Sequence, residues 1–401
     1  MYLSNIFTLR HIKKSFNILA IIALIMTIGC RVWQTWIFQS VDQLHNASVC
    51  KPKMNIVFVK IPKCASSTVT NIFQRYGEKH HLKFLLPENN YFLGGYPEPF
   101  TILPEYRGHQ YNMMVNHVIF NAKPIQDLMP NDTVYIGVVR HPVSHLKSIY
   151  NFFHLWESGL PALDQFEENP LLYYRKANTY LTKMRIRNFQ SYHYKLQTTA
   201  KLNATEVERF VHIIDGQFDF VIVADHLKES LLLLKDYLCW SMEDILFVSH
   251  KVRDYDHPNG EHNQDLEMVE RNIRNWSSAD FALFEHFNET LWSKIASKDS
   301  NVFQDELTEY SKQLEIVNKA CLKYDLSAFS YGNGTFSNED NSHKDEVLSK
   351  RETFSKRDFS DKNGVNPKRD TFSERDTKND SEFSQCAKMY LKPPLYVMRL
   401  K

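Results

Sequence analysis
The sequence predicts an α/β fold: a parallel β-sheet flanked by helices. Three apolar, β-branched runs are too short for helices, and each is followed by apolar residues at helical spacing. Strand and helix alternate along the chain, as parallel crossovers require. The first two strand-to-helix junctions also carry lysine, arginine and hydroxyl residues, the side chains of an anion site.

The first unit begins with the strand run Asn55 to Val59. Val69, Ile72, Phe73 and Tyr76 then recur as one helix face. Lys63 to Thr68 form the junction between them. Amide N–H groups at a helix start have no partner within the helix, and the helix dipole favours an anion there. Lys63 adds a point charge, and Ser66, Ser67 and Thr68 add hydroxyl donors. No glycine lies between Lys60 and Asn71, so the motif of nucleotide-triphosphate loops is absent. The plain alternative is a serine-rich helix cap.

The second unit pairs the strand run Thr133 to Val139 with a helix bearing Val143, Leu146, Ile149, Tyr150 and Phe153. Arg140 falls at the strand end, where doubly wound sheets place ligands, and its planar fork suits a phosphate. Ser148 follows on the same helix. The third unit is the strand run Phe218 to Ala224, followed by a helix with Leu227, Leu231, Leu234 and Leu238 as a packing stripe. Gln264 to Ala296 reads as largely helical, with Trp276, Phe281, Phe284 and Phe287 as packing anchors.

Two anion-gripping junctions suggest one ligand with two phosphate-bearing ends. The residues around them resemble the galactose 3-O-sulfotransferases, a group that includes galactosylceramide sulfotransferase. The resemblance rests on Val59–Phe73, Asn116-His117, Val134–Phe153, Phe218–Trp240 and Phe281–Ile295, with a further echo in Cys386–Leu400. It implies a P-loop-like sulfotransferase fold. It also implies 3′-phosphoadenosine 5′-phosphosulfate (PAPS) as donor, a galactose 3-hydroxyl on a glycolipid or glycoprotein glycan as acceptor, and no metal. By position, Lys63, Ala65, Ser66, Ser67 and Thr68 would hold the 5′-phosphosulfate, and Arg140 and Ser148 the 3′-phosphate. Lys63 would also stabilise charge on the leaving oxygen.

The resemblance departs at two places. Family members read Thr-His-Lys where this chain reads Ile61-Pro62-Lys63, so a histidine is missing. Phe189 to Tyr194 replaces the family's Asp-Phe-Gly-like run, which bears on acceptor identity. Removing a proton from a sugar hydroxyl needs a base of near-neutral pKa. His117 is the first candidate and His141, beside Arg140, the second. Trp156, Tyr173 and Tyr174 are candidates for stacking on a sugar. The His and Cys residues show no zinc-ligand spacing. A net charge of +1 argues against nucleic acid or a long polyanion as partner. Sulfation of another sugar position, and an inactive lumenal glycan-binding protein, are the competing readings. Whether the chain pairs as a homodimer stays open.

Arg10, His11, Lys13 and Lys14 precede the apolar stretch Phe16–Cys30. The basic flank predicts a cytosolic tail (1–14), a type II signal-anchor (15–38) and a lumenal stem (39–52) on a Golgi membrane. A cleaved signal peptide is the competing reading. Sequons at Asn46, Asn131, Asn203, Asn275, Asn288, Asn333 and Asn379 suit a lumenal domain. The catalytic domain is expected over 53–327. Residues 328–384 turn polar and repetitive, as in Arg351 to Ser355 and Arg369 to Ser373, and read as a disordered insert. Residues 385–401 regain apolar character and are expected to dock on the domain. Of the six cysteines, Cys321 and Cys386 flank that insert and are the expected disulfide.

Overall fold
The computed structural model describes residues 50–88, 91–197, 202–248, 266–322 and 384–391, with positions 26, 31, 324, 382, 396, 397 and 400. All of the expected anchor but positions 26 and 31, and almost all of the 328–384 stretch, lie outside the described residues.

Each expected strand forms, and one more joins them. The sheet holds β1 (Ile56–Phe58), β2 (Met113–Met114), β3 (Val134–Val139) and β4 (Phe220–Val223), in the order β2-β1-β3-β4. Every pairing is parallel, with Val57 opposite both Met114 and Tyr135, and Ile136 opposite Phe220. Nearly all strand residues are buried, as a sheet covered on both faces requires. Two residues were too few for β2 to show in the sequence pattern.

Helix α1 (Ser66–Lys79) follows β1. Helix α2 (Ala122–Gln126) precedes β3 and α3 (Pro142–Phe152) leaves it. Four short helices come next: α4 (Leu163–Glu168), α5 (Pro170–Lys176), α6 (Tyr180–Arg185) and α7 (Phe189–His193). Helices α8 (Ala204–Gln217) and α9 (Leu227–Leu238) flank β4, and α10 (Leu266–Trp276), α11 (Ser278–Ala296) and α12 (Ser300–Leu322) complete the set. Asn203 and Glu206 form a capping box at the start of α8, so its sequon asparagine is also a helix cap. The stripe on α9 is wider than expected, because Leu232 and Leu233 are buried along with Leu231, Leu234 and Leu238. A second core under α3, α4 and α7 gathers Tyr150, Phe166, Phe189, Trp276 and Phe281.

The strand order fixes where a ligand can sit. The chain leaves β1 toward β2 on one side and returns to β3 on the other. The loops after β1 and β3 therefore meet at a topological switch point. The expected Cys321–Cys386 disulfide is present. Cys50 and Cys239 are also disulfide-bonded, and Cys64 is buried and free. Past Cys386, the carbonyls of Lys388 and Leu391 accept from Asn71 Nδ2 on α1 at 2.9 and 3.0 Å.

Candidate donor and catalytic site
The loop after β1 turns without glycine. Lys63 (φ 67°) and Ala65 (φ 52°) both adopt the left-handed region, which costs a non-glycine residue on the order of 1 kcal/mol or more. Four consecutive carbonyls of the loop are each taken by a side chain. The Lys60 carbonyl accepts from His117 Nδ1 at 3.0 Å. That of Ile61 accepts from Ser66 Oγ, that of Pro62 from His145 Nε2 at 2.9 Å, and that of Lys63 from Arg140 Nη1 at 2.8 Å. In a planar trans peptide the N–H points away from the C=O. Fixing these carbonyls therefore also fixes the directions of the following amides of Ile61, Lys63 and Cys64. The start of α1 adds its first-turn amides.

These bonds give Ser66 a different part from Ser67 and Thr68. The Ser66 hydroxyl is spent on loop shape, and the residue is buried. Ser67 is exposed and Thr68 half-buried, and neither hydroxyl has a partner among the described residues. Ala65 is the left-handed cap of α1 and offers backbone only. The Lys63 ammonium lies 4.2 Å from the centroid of the Phe152 ring on α3.

Arg140 joins the two junctions directly. Besides its bond to the Lys63 carbonyl, its Nε donates to Ser144 Oγ at 3.1 Å. Ser148 lies one turn beyond Ser144 on the same face of α3 and has no hydrogen-bond partner among the described residues. The Arg140 backbone is clamped by Gln190: its N–H donates to Gln190 Oε1 at 2.7 Å and its carbonyl accepts from Gln190 Nε2 at 2.8 Å. Gln190 is held in turn by α11. The buried Asp280 carboxylate accepts from the amides of Gln190 and Ser191 and from Ser191 Oγ at 3.2, 2.8 and 2.6 Å. Burial pushes the Asp280 pKa up to about 6, against the pull of those bonds. Tyr194 Oη accepts from Val138 N–H at 2.8 Å and donates to its carbonyl at 2.9 Å. A Cβ at Gly137 would come within 2.6 Å of that oxygen, so the strand needs glycine there. The run Phe189 to Tyr194, which the sequence linked to the acceptor, thus supports the end of β3 and Arg140.

His117 is tied to the same loop. A carbonyl can only accept, so Nδ1 carries the proton and the neutral ring keeps its lone pair on Nε2. Burial first, then the charge of Lys60 and the neighbouring His193, hold its pKa well below the ordinary histidine range. His145 is likewise neutral, pulled to about 3 mainly by burial, and donates through Nε2. His141 is placed otherwise. Its amide donates to Asp225 at 2.8 Å, and its ring packs edge-on against Phe281 and Phe284 of α11. Among the aromatics considered for a sugar, Trp156 is 45% exposed and stacks on His154, while Tyr173 and Tyr174 are partly buried.

His145, Gln190 and Asp280 escaped the sequence reading. The contacts described for them span 50 to 90 residues, and no local pattern marks such pairs.

The galactose-3-O-sulfotransferase family model matches residues 17–329. The chain belongs to the galactose-3-O-sulfotransferase family. It is 33% identical over 253 residues to human galactose-3-O-sulfotransferase 2, covering 62% of each chain. It is 31% identical over 260 residues to human galactosylceramide sulfotransferase, covering 62% of this chain and 60% of that one. To bovine galactose-3-O-sulfotransferase 4 it is 25% identical over 349 residues, covering 69% of this chain and 72% of that one. The aligned part thus spans about 60% of the length of the first two relatives. No solved structure matches.

Proposed function
We propose that this protein transfers the sulfuryl group of PAPS to the 3-hydroxyl of a galactose residue on a glycolipid or glycoprotein glycan. The observation that carries the reading is the bond from Arg140 Nη1 to the Lys63 carbonyl. It makes one site of the two anion grips that the family membership leads one to seek. The loop fits the donor: amides of a loop held at four carbonyls, with the start of α1, suit the 5′-phosphosulfate, and Arg140 with Ser148 suits the 3′-phosphate.

PAPS supplies an activated sulfuryl group in a displacement where positioning and charge stabilisation do most of the catalysis. A bond forms from the galactose oxygen to sulfur while the bond from sulfur to the 5′-phosphate oxygen breaks. The electron pair leaves on that oxygen, where Lys63 and the first-turn amides of α1 stabilise it. The hydroxyl proton passes to His117 Nε2, whose tautomer is set by the Lys60 carbonyl; burial makes it a weaker base than the near-neutral one expected from the sequence. The absent histidine at Pro62 is no obstacle to this scheme, since His117 reaches the loop from another element.

The setting we propose is a type II anchor in the Golgi membrane, with the domain in the lumen. Disulfides and exposed sequon residues at Asn131, Asn203 and Asn275 support an oxidising, glycosylating compartment. The deciding assay is transfer from radiolabelled PAPS to a panel of β-galactosides and galactosylceramide, with the product linkage determined. Label on the galactose 3-oxygen supports the proposal, and the ranking of acceptors separates lipid from protein glycans. Label elsewhere on the sugar, or binding of adenosine 3′,5′-bisphosphate without transfer, overturns it.

A further inference from the structure
Arg185, the last residue of α6, is a half-buried cation without an anion. Its guanidinium carbon lies 3.8 Å from the centroid of the Phe153 ring. Among the described residues no carboxylate pairs with it and no oxygen accepts from it. Burial draws its pKa down, and the one neighbour acting on its charge is Tyr96. The Tyr96 hydroxyl also has no partner among the described residues. A desolvated guanidinium without a carboxylate is costly unless a ligand completes it.

The surroundings place this pair beside the proposed reaction. On one side, Phe153 meets Phe152 at 5.0 Å between ring centroids, and Phe152 carries the Lys63 ammonium. On the other side, Tyr96 stacks on Phe92 at 4.2 Å, and Phe92 lies 5.6 Å from the His117 ring. An aromatic path thus leads from the Lys63 ammonium through Phe152 and Phe153 to Arg185, and another from His117 through Phe92 to Tyr96, the neighbour that acts on the Arg185 charge. An acceptor whose hydroxyl is poised between Lys63 and His117 extends along these paths.

We propose that Arg185 and Tyr96 form an acceptor subsite for an oxyanion (carboxylate, phosphate or sulfate) carried on the sugar next to the accepting galactose. The guanidinium offers paired N–H donors in a plane, and the Tyr96 hydroxyl adds a third donor. The galactose itself stays neutral; its anionic neighbour is selected. This rests on the function proposed above, but its test does not need turnover.

The test is equilibrium binding to the full protein saturated with adenosine 3′,5′-bisphosphate. The probes are β-galactosyl-glucose and the same disaccharide with carbon 6 of its glucose oxidised to a carboxylate or bearing a phosphate. Wild type is expected to bind both anionic probes about ten- to a hundredfold more tightly than the neutral one, the range of a charge-assisted hydrogen bond. Arg185→Gln should remove that preference while binding of the neutral probe stays within twofold. Arg185→Lys should restore part of it. Unchanged binding of the neutral probe serves as the folding control. No preference in wild type, or an equal loss for all three probes in Arg185→Gln, overturns the subsite. Weakened binding of adenosine 3′,5′-bisphosphate in the variant also overturns it, by assigning Arg185 to the donor. If the preference is present but no probe is sulfated, the subsite stands and the proposed reaction falls.

Discussion
Lys60 gives the sharpest test of how this site is built. It follows β1, is 3% exposed, and no acceptor contacts its ammonium among the described residues. Burial alone lowers its pKa from 10.5 to about 7. Between those two values the unfolded chain keeps a proton that the folded protein has lost, so stability rises with pH across that window. The cost is full below about pH 7 and gone above about 10.5. At about 1.4 kcal/mol for each tenfold, it is roughly 4 kcal/mol at pH 7 and roughly 2 kcal/mol at pH 9. Lys60→Met keeps the buried stem and removes the charge. It should therefore stabilise the protein by those amounts at the two pH values. Urea unfolding with disulfides intact, at pH 7 and pH 9, measures the difference provided the urea slope is unchanged. No gain at pH 7, or the same gain at both values, would refute the reasoning. It would mean that the ammonium is solvated or paired in the folded state.

His117→Ala should lower kcat by roughly 10²–10⁴ even at saturating donor and, because it frees the Lys60 carbonyl, also weaken binding of adenosine 3′,5′-bisphosphate; single-turnover kinetics alongside a binding titration separate the two effects. A base works only unprotonated, so activity falls as pH drops through its pKa. Because burial holds His117 low, the acid limb of kcat/KM should lie below pH 6.5; a limb above that value would assign the proton to another group. Lys63→Ala should cripple kcat. Arg140→Ala should mainly raise the donor KM but also lower kcat, because it releases the Lys63 carbonyl, and a double-mutant cycle should be non-additive. His145→Phe keeps the stacking on Phe189 but leaves the Pro62 carbonyl unbonded; it should cost about 1–3 kcal/mol in unfolding free energy and weaken donor binding, and an unchanged donor Kd would show that the loop holds without it.

The α/β class and the two anion junctions were legible because they depend on local chemistry. The run Asn55 to Val59 and the apolar face of α1 announce a strand and a helix with no knowledge of their neighbours. Arg140 could be seen at a strand end. That its fork would close on Lys63 could not, since strand order is set by crossovers and the sequence showed three strands where four pair. The same limit hid His145. Inside α3 it looks like any helical histidine, and only the approach of the Pro62 carbonyl gives it work. The missing glycines argued against one phosphate motif, but could not show that Lys63 and Ala65 would take left-handed backbone under four side-chain restraints. Ser66 shows the converse. Its place in the motif was plain, whereas the direction of its hydroxyl depends on the folded path of Ile61.

The end of the described chain grips α1, the helix whose start completes the loop proposed to hold the donor. Asn71 holds the carbonyls of Lys388 and Leu391, and Glu78 meets Lys388 at 3.4 Å and the Tyr396 hydroxyl. Cys321 and Cys386 fasten that grip across 65 residues. Such a covalent shunt uncouples length from chemistry. Doubling the stretch between the two cysteines would add only about 0.6 kcal/mol of closure entropy, and a bridge present before and after unfolding removes even that from the balance. Lengthening or shortening that stretch would therefore put little tension on the loop after β1. Truncation before Cys386 is another matter: it would strip the clasp from α1, and a lesion far along the chain would be read out as a weakened hold on the donor.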